Sequence, residues 1–253
     1  MQSIVGSPSR WSSHFTLTYT GPSLSKPFGA DAPNPLMQIP APQVNMQGTV
    51  SVRYRVDPTT TISFGTGLMV YTPFTAATGW SVADPYLNFN KLLTTGDIHH
   101  YIVTGINLWT DDQYASQDGY RLGFNFSDES YYVFKWGLTV GVDFWASANT
   151  FAANGNYDET QQDAWFIGGG PYVEYAFSER VSLRSVLGIQ GDHAVSSPGS
   201  LLVWENPYQT LGVGVQIVKK ALYMYTYVMA TPYSPNFSLQ NTGLGFNIIA
   251  NLF

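Results

Sequence analysis

The chain has no cysteine, few charged residues and no long apolar run, and each of these absences excludes something. Without cysteine there are no disulfide bonds and no thiolate metal sites. Charged residues make up 11% of the sequence, against about 25% in an ordinary soluble domain. A surface that faces water is hard to keep soluble with so few charges, whereas a surface that faces lipid needs none. No stretch approaches the ~18 apolar residues of a transmembrane helix.

A regular alternation over Tyr131–Trp145 (YYVFKWGLTVGVDFW) shows what is present instead. Every even position from Tyr132 to Phe144 is apolar, while the odd positions are mostly charged, hydroxylated or glycine. A period of two predicts a β-strand with a different solvent on each face. Rings lie toward the ends of the apolar face and aliphatic residues in its middle, which is typical of strands that cross a bilayer. The predicted membrane-girdle residues are Tyr132, Trp136, Phe144 and Trp165.

The same alternation recurs along the chain and predicts about twelve strands. They cover 14–20, 48–56, 62–70, 84–92, 101–109, 120–126, 131–145, 165–177, 183–190, 211–217, 222–230 and 242–253. Short polar turns alternate with longer loops, and the strand number is even. This pattern predicts an all-β fold, a transmembrane up-and-down antiparallel β-barrel with short periplasmic turns and longer extracellular loops.

We expect residues 1–253 to form a single outer-membrane barrel domain. Residues 1–11 would be an N-terminal extension, and 22–47 a long loop that holds six of the fifteen prolines and cannot be strand. The opening MQSIVGSPSR lacks an export signal, so we expect that a signal was removed and that Met1 is not the natural first residue.

Glycine supports the assignment of the two faces. Eleven glycines fall opposite the apolar face, where small residues leave room for bulkier neighbours or for a lumen. They are Gly65, Gly67, Gly105, Gly123, Gly137, Gly141, Gly168, Gly170, Gly188, Gly212 and Gly214. A soluble strand would not place glycine so consistently on its solvent face, because glycine weakens strands.

Charged residues on the inward positions are predominantly basic. The predicted pore-lining residues are Arg53, Arg55, Arg121, Lys135 and Arg184 with two acids, Asp143 and Glu174. One interpretation is an aqueous lumen with weak anion preference. The other is that the arginines pair with the two acids and fill a narrow lumen, because twelve strands lie between filled and open barrels.

Histidine gives no clear catalytic or metal site. His193 lies near Ser196 and Ser197 in a predicted loop, without a recognisable nucleophile motif. His99 and His100 are neighbours on a strand, point to opposite faces and would not share a metal. The loop acids Asp111, Asp112 and Asp118 could collect divalent ions, although solvated loops are the ordinary case. We expect no enzyme, no metal and no cofactor, and the net charge of -6 argues against nucleic acid as a partner.

The C-terminal stretch LGFNIIANLF, which ends in Phe253, resembles the last strand of bacterial outer-membrane β-barrel proteins. In that class the terminal phenylalanine is recognised by the barrel assembly machinery. The apolar phase here ends at Leu252, so either a bulge shifts the strand end or Phe253 points the other way. The resemblance implies a Gram-negative outer membrane, with membrane lipid and lipopolysaccharide as neighbours. Within the class the chain is most similar to small porin-like barrels, and more weakly to ring-forming porin-like barrels of predatory bacteria.

The sequence therefore predicts a porin-like channel for passive diffusion of small polar solutes, with weak anion preference, assembled as a homo-oligomer. One alternative is a structural or lipid-organising oligomeric barrel with a blocked lumen. A second is an outer-membrane lipid-modifying enzyme that uses His193 or His14. A soluble β-protein is the remaining alternative.

Overall fold

The structure is a computed structural model that describes residues 9–26, 44–70, 79–153, 157, 162–196, 202–204, 207–219, 221–232 and 237–252. Its strands are β1 (Trp11–Ser23), β2 (Asn45–Asp57), β3 (Thr60–Val70), β4 (Trp80–Thr95), β5 (Ile98–Leu108), β6 (Tyr120–Val133), β7 (Leu138–Phe151), β8 (Asp163–Ala176), β9 (Val181–Ala194), β10 (Val203–Trp204), β11 (Tyr208–Val218), β12 (Leu222–Ala230) and β13 (Gly243–Leu252). A π-helix spans Asp112–Gln117, and a 3-10 helix spans Leu239–Asn241. No helix in the described ranges is both long enough and apolar enough to cross a membrane.

Twelve of the strands close into a ring in which every neighbouring pair is antiparallel. β1 pairs with both β2 and β13, and β9 joins β8 to β11. The two-residue β10 is an extra strand that pairs with Gly191 and Asp192 on β9. The predicted all-β, up-and-down barrel of twelve strands is confirmed. We call the side of the β2–β3 turn the short-turn end and the opposite side the long-loop end.

The central alternating stretch is a hairpin and not one strand, so that part of the prediction was wrong. β6 ends at Val133, β7 begins at Leu138, and a turn over 134–137 joins them. Gly137 closes this turn with φ 92, a backbone conformation that favours glycine. Tyr132 pairs with Val140, so even-numbered residues oppose even-numbered residues across the hairpin. The alternation of apolar and polar residues therefore continues without a break through the turn, so the sequence pattern does not reveal the turn.

The barrel has its apolar side chains outside and its polar side chains inside. Large exposed apolar residues lie along one face of each strand, for example Val52, Phe64 and Val142. Among the described residues only four apolar side chains are buried: Val44, Ala115, Tyr120 and Tyr172. The buried polar set is larger and includes Ser51, Ser63, Asn90, Asn107, Ser147, Glu174, Ser182 and Thr210. A protein folded in water would not expose its apolar face in this way, so the outer wall is a surface for lipid.

Inward glycines make room for rings in the lumen. A Cβ at Gly141 would meet the ring of Tyr172, and one at Gly168 would meet the ring of Trp145. Gly137 is the exception in the predicted inward set, because it lies in the turn.

The bounds of the two segments predicted as non-strand, 1–11 and 22–47, differ from the structure. β1 continues to Ser23 and β2 begins at Asn45, so strand reaches into both ends of the predicted loop 22–47. β1 begins at Trp11, the last residue of the predicted extension 1–11. Residues 1–8 and 27–43 lie outside the described residues.

Candidate functional site

The interior of the barrel holds a cluster of charges around Arg184, which we call the Arg184 cluster. The Arg184 guanidinium on β9 lies 3.3 Å from Asp143, 3.6 Å from Glu129 and 3.9 Å from Glu174. Its carbon Cζ also lies 4.0 Å above the ring centre of Tyr172, a cation–π contact. The Arg184 side chain is 18% exposed, so these contacts form in a partly dry interior.

Three carboxylates share this single guanidinium. Glu129 and Asp143 are direct cross-strand partners on β6 and β7, an arrangement that would be repulsive without a cation between them. Arg184 supplies that cation, and the fully ionised cluster still carries net negative charge. One of the two interpretations of the sequence paired the inward arginines with Asp143 and Glu174, and neither interpretation included Glu129.

Glu129 was missed because it fell between the predicted strands 120–126 and 131–145. β6 in fact continues to Val133, and the outward residues Phe124 and Phe126 set the phase of the strand. Continued alternation from Phe126 places Glu129 inward, so the signal was present in the sequence.

The Arg184 cluster also narrows the lumen. Arg184 lies on β9 and Glu129 on β6, two strands that are separated around the wall by β7 and β8. Their side chains therefore meet inside the barrel and form a chord, that is, a bridge that crosses part of the lumen from one section of the wall to another.

Arg53 forms a second basic centre on the opposite part of the inner wall. His14 Nδ1 lies 2.7 Å from Asn251 Oδ1, and Arg53 Nη1 donates to the same oxygen at 3.5 Å. The Arg53 Nε is buried without a hydrogen-bond partner. In the described part of the chain no carboxylate forms an ion pair with Arg53, so this arginine keeps its positive charge uncompensated.

The other predicted pore-lining bases lie near the two ends of the barrel. Arg55 Nη2 donates to the carbonyl of Ser9 at 2.9 Å, toward the short-turn end. Arg121 is exposed at the long-loop end, where its guanidinium donates to the carbonyl of Ala115 and the hydroxyl of Tyr157. Lys135 lies exposed in the 134–137 turn, because the stretch that was predicted as one strand turns there. It does not lie on the lumen wall.

The long-loop end carries an aromatic cluster beside the 109–119 loop. The rings of Trp109, Tyr114, Tyr120 and Phe151 contact one another at 4.8–5.7 Å between ring centres. The Trp109 indole donates to Asn149 on the inner wall. This cluster holds the loop against the inner side of the barrel mouth.

Carboxylates surround the same loop. Asp84 accepts the backbone N–H groups of Thr110 at 2.7 Å and Asp111 at 3.0 Å, and so fixes where the loop begins. Burial raises the pKa of Tyr114, and the nearby carboxylates of Asp111, Asp84, Asp118 and Asp163 raise it further. The long-loop mouth is therefore acidic.

The predicted girdle residues lie on the outer side at different heights. Trp136 belongs to the turn at the short-turn end, where its ring contacts Phe134 and Tyr175. Tyr132 contacts Phe134 at the same end. Trp165 lies toward the long-loop end, stacked on His193. Phe144 lies in the middle of β7, within the apolar belt.

Neither His14 nor His100 forms a hydrolytic site with the described residues around it. His14 faces the lumen beside Asn251, and Ser197, one of the predicted partners of His193, lies outside the described residues. His100 lies 2.8 Å from Ser130 and 3.7 Å from Asp128, but both distances are to Nδ1. A Ser-His-Asp relay needs the serine and the carboxylate on different ring nitrogens, so this group does not match one. Phe253, the predicted assembly signal, also lies outside the described residues.

No family model matches the chain, and no curated protein sequence does either. Solved structures do match its fold. One is the COG4313 outer membrane channel from Pseudomonas putida F1, with a TM-score of 0.60, 9% identity and 97% of each chain covered. Another is the NanC porin, with a TM-score of 0.52, 8% identity, and 95% of this chain and 98% of that chain covered. At such identities the likeness shows the fold, which is that of porin-like outer-membrane β-barrels. With the apolar outer wall, it confirms the predicted architecture and the predicted location in a bacterial outer membrane.

Proposed function

We propose that the protein is a channel for passive diffusion of small polar solutes across the outer membrane. The observation that carries this proposal is the polar inner wall. Among the described residues the interior is built from serine, threonine, asparagine and charged side chains together with rings such as those of Tyr172 and Trp145, and few apolar side chains are buried. A wall of this kind suits a water-filled interior, and a water-filled barrel of twelve strands offers a path to solutes.

The charges along this path support weak cation preference. The sequence predicted weak anion preference from five basic residues. One of these, Lys135, lies in a turn, and Arg184 is shared by three carboxylates. The acidic mouth adds further negative charge, which attracts cations and repels anions. Arg53 is the main group on the described wall that opposes this preference.

Conductance of the protein in a planar bilayer under a salt gradient tests both the proposed channel and its cation preference. We expect discrete current steps and a reversal potential whose sign shows that cations pass more readily than anions. Glu129→Gln removes one lumen charge and should move the reversal potential toward zero. The matched control is Glu179→Gln, which removes a carboxylate from the exposed 177–180 turn and should leave the potential unchanged.

Three outcomes contradict parts of this proposal. A reversal potential of the opposite sign would restore the anion preference predicted from the sequence. Equal shifts in Glu129→Gln and Glu179→Gln would show that the Arg184 cluster does not set selectivity. Silence from correctly folded protein would contradict the channel itself.

A structural barrel with a blocked lumen is the second candidate, and the chord formed by Arg184 and Glu129 favours it. If that chord closes the path, wild-type protein is silent and Arg184→Ala conducts. The lipid-modifying enzyme has weaker support, because His14 and His100 lack the geometry of a hydrolase. Release of fatty acid from phospholipid vesicles that disappears in His14→Ala or His193→Ala would favour the enzyme.

A further inference from the structure

Three neighbouring strands carry ionisable side chains on the outer wall, which is otherwise mostly apolar. Lys91 lies on β4 between the outward residues Phe89 and Leu93. His100 lies on β5 two residues after the outward Ile98, and Asp128 lies on β6 two residues after the outward Phe126. All three share the outward face of their strands, so they face the membrane.

Asp128 lies deep in the belt. It is five residues from the end of β6 at Val133, which is about 13 Å along the barrel axis at ~3.3 Å per residue and a tilt of ~40°. At this depth an ionised group exposed to lipid is destabilising. Ser130 donates to Asp128 Oδ2 at 2.9 Å, and His100 lies 3.7 Å from the same oxygen. The other oxygen, Oδ1, is buried without a partner.

The positions of Lys91 and Asp128 are related by strand register. Lys91 pairs with Ile102, and Ile102 pairs with Asp128, so the two charges flank Ile102 on either side. Two copies can face each other across a two-fold axis that is parallel to the membrane normal and passes through Ile102. The left side of one wall then lies opposite the right side of the other. Such an axis places Lys91 of one copy opposite Asp128 of the other, twice. The tilt of the strands leaves a height difference of about 6 Å, which the Lys91 side chain can span.

The contacts that Lys91 makes within its own chain are weak enough to be replaced by contact with a partner carboxylate. Its ammonium now contacts the hydroxyls of Thr59 and Thr60, and Asp57 at 3.8 Å, all near the exposed β2–β3 turn. Surface ion pairs of this kind hold a lysine weakly. A partner carboxylate in a dry interface would hold it more strongly, and it would also remove Asp128 from contact with lipid.

We propose that the outer wall formed by β4, β5 and β6 is the contact face between two copies of this chain in the membrane. Ile102 lies at the two-fold axis, and Lys91 of each copy pairs with Asp128 of the other. The contact joins charges of opposite sign on a wall where a charged group exposed to lipid is unfavourable.

Cysteine cross-linking tests the face directly, because the chain has no cysteine of its own. Ile102→Cys lies on the proposed axis and should form a disulfide-linked dimer when outer membranes are oxidised. The matched control is Ile248→Cys, an outward isoleucine on β13 on the far side of the ring, which should remain a monomer. Monomeric Ile102→Cys under these conditions, or equal dimer from both variants, would overturn the proposal.

A charge exchange tests the pairing independently. Detergent-corrected mass should show a dimer for the wild type and a monomer for Asp128→Lys, in which lysine faces lysine. The double variant Lys91→Asp with Asp128→Lys should recover the dimer. Heat-modifiable migration on gels confirms that each variant is a folded barrel. A monomeric wild type, or a dimer that Asp128→Lys leaves intact, would overturn the pairing.

Discussion

Replacing Arg184 by methionine is the most informative perturbation of the interior. Methionine keeps most of the side-chain volume but leaves Glu129, Asp143 and Glu174 without their shared cation. At ~3.5 Å and an effective dielectric constant of about 20, each ion pair contributes roughly 5 kcal/mol of gross attraction. Desolvation offsets most of this, and breaking a buried pair typically costs about 3–5 kcal/mol. Because the Arg184 side chain is 18% exposed, we expect a loss at or just below the bottom of that range, about 2–3 kcal/mol.

The assay is reversible unfolding in urea with the protein in lipid vesicles, followed by tryptophan fluorescence and by gel migration of the folded form. Arg55→Met is the matched control, because Arg55 lies near the end of the barrel, outside the Arg184 cluster. It should change the free energy of unfolding by less than about 1 kcal/mol.

The electrostatic origin of the loss can be separated from packing. If uncompensated carboxylates cause it, adding Glu129→Gln and Asp143→Asn to Arg184→Met should recover most of the lost stability. The reasoning is refuted if Arg184→Met is as stable as Arg55→Met. It is also refuted if the neutralised triple variant is no more stable than Arg184→Met alone.

Two further predictions concern the ends of the barrel. Asp84→Ala removes the acceptor for the N–H groups of Thr110 and Asp111 and should make the 109–119 loop susceptible to protease. Asp84→Asn keeps an acceptor oxygen and tolerates the φ of 55, so it should resist protease like the wild type. At the short-turn end, the hydrogen bond from Lys219 lowers the pKa of Glu179, so this pair stabilises the fold above the unfolded pKa of about 4.3. That contribution is lost as pH falls through the lowered pKa. When the free energy of unfolding is measured against pH, Glu179→Gln should lack this contribution. Cleavage of Asp84→Asn, or an unchanged titration in Glu179→Gln, would contradict these assignments.

The sequence by itself determined the number of strands and the face that each presents to lipid. Alternation is a local property, since neighbouring side chains of a strand point to opposite faces whatever the partner strand is. Arg53, Asp143 and Glu174 could therefore be assigned to the inner wall from their parity alone. The same reasoning misplaced Lys135, because alternation passes without a break through the β6–β7 turn. It also left out Glu129, which lay between two predicted strands.

Only the tertiary structure decided which charges meet. Arg184 and Glu129 are distant in sequence and lie on strands that are not neighbours, and closure of the ring brings them across the lumen. Lys91 and Asp128 flank Ile102 because of pairing register, which parity does not specify. The physical reason is that a strand's own sequence sets which face a residue occupies, while its height against distant strands depends on stagger and closure of the whole barrel.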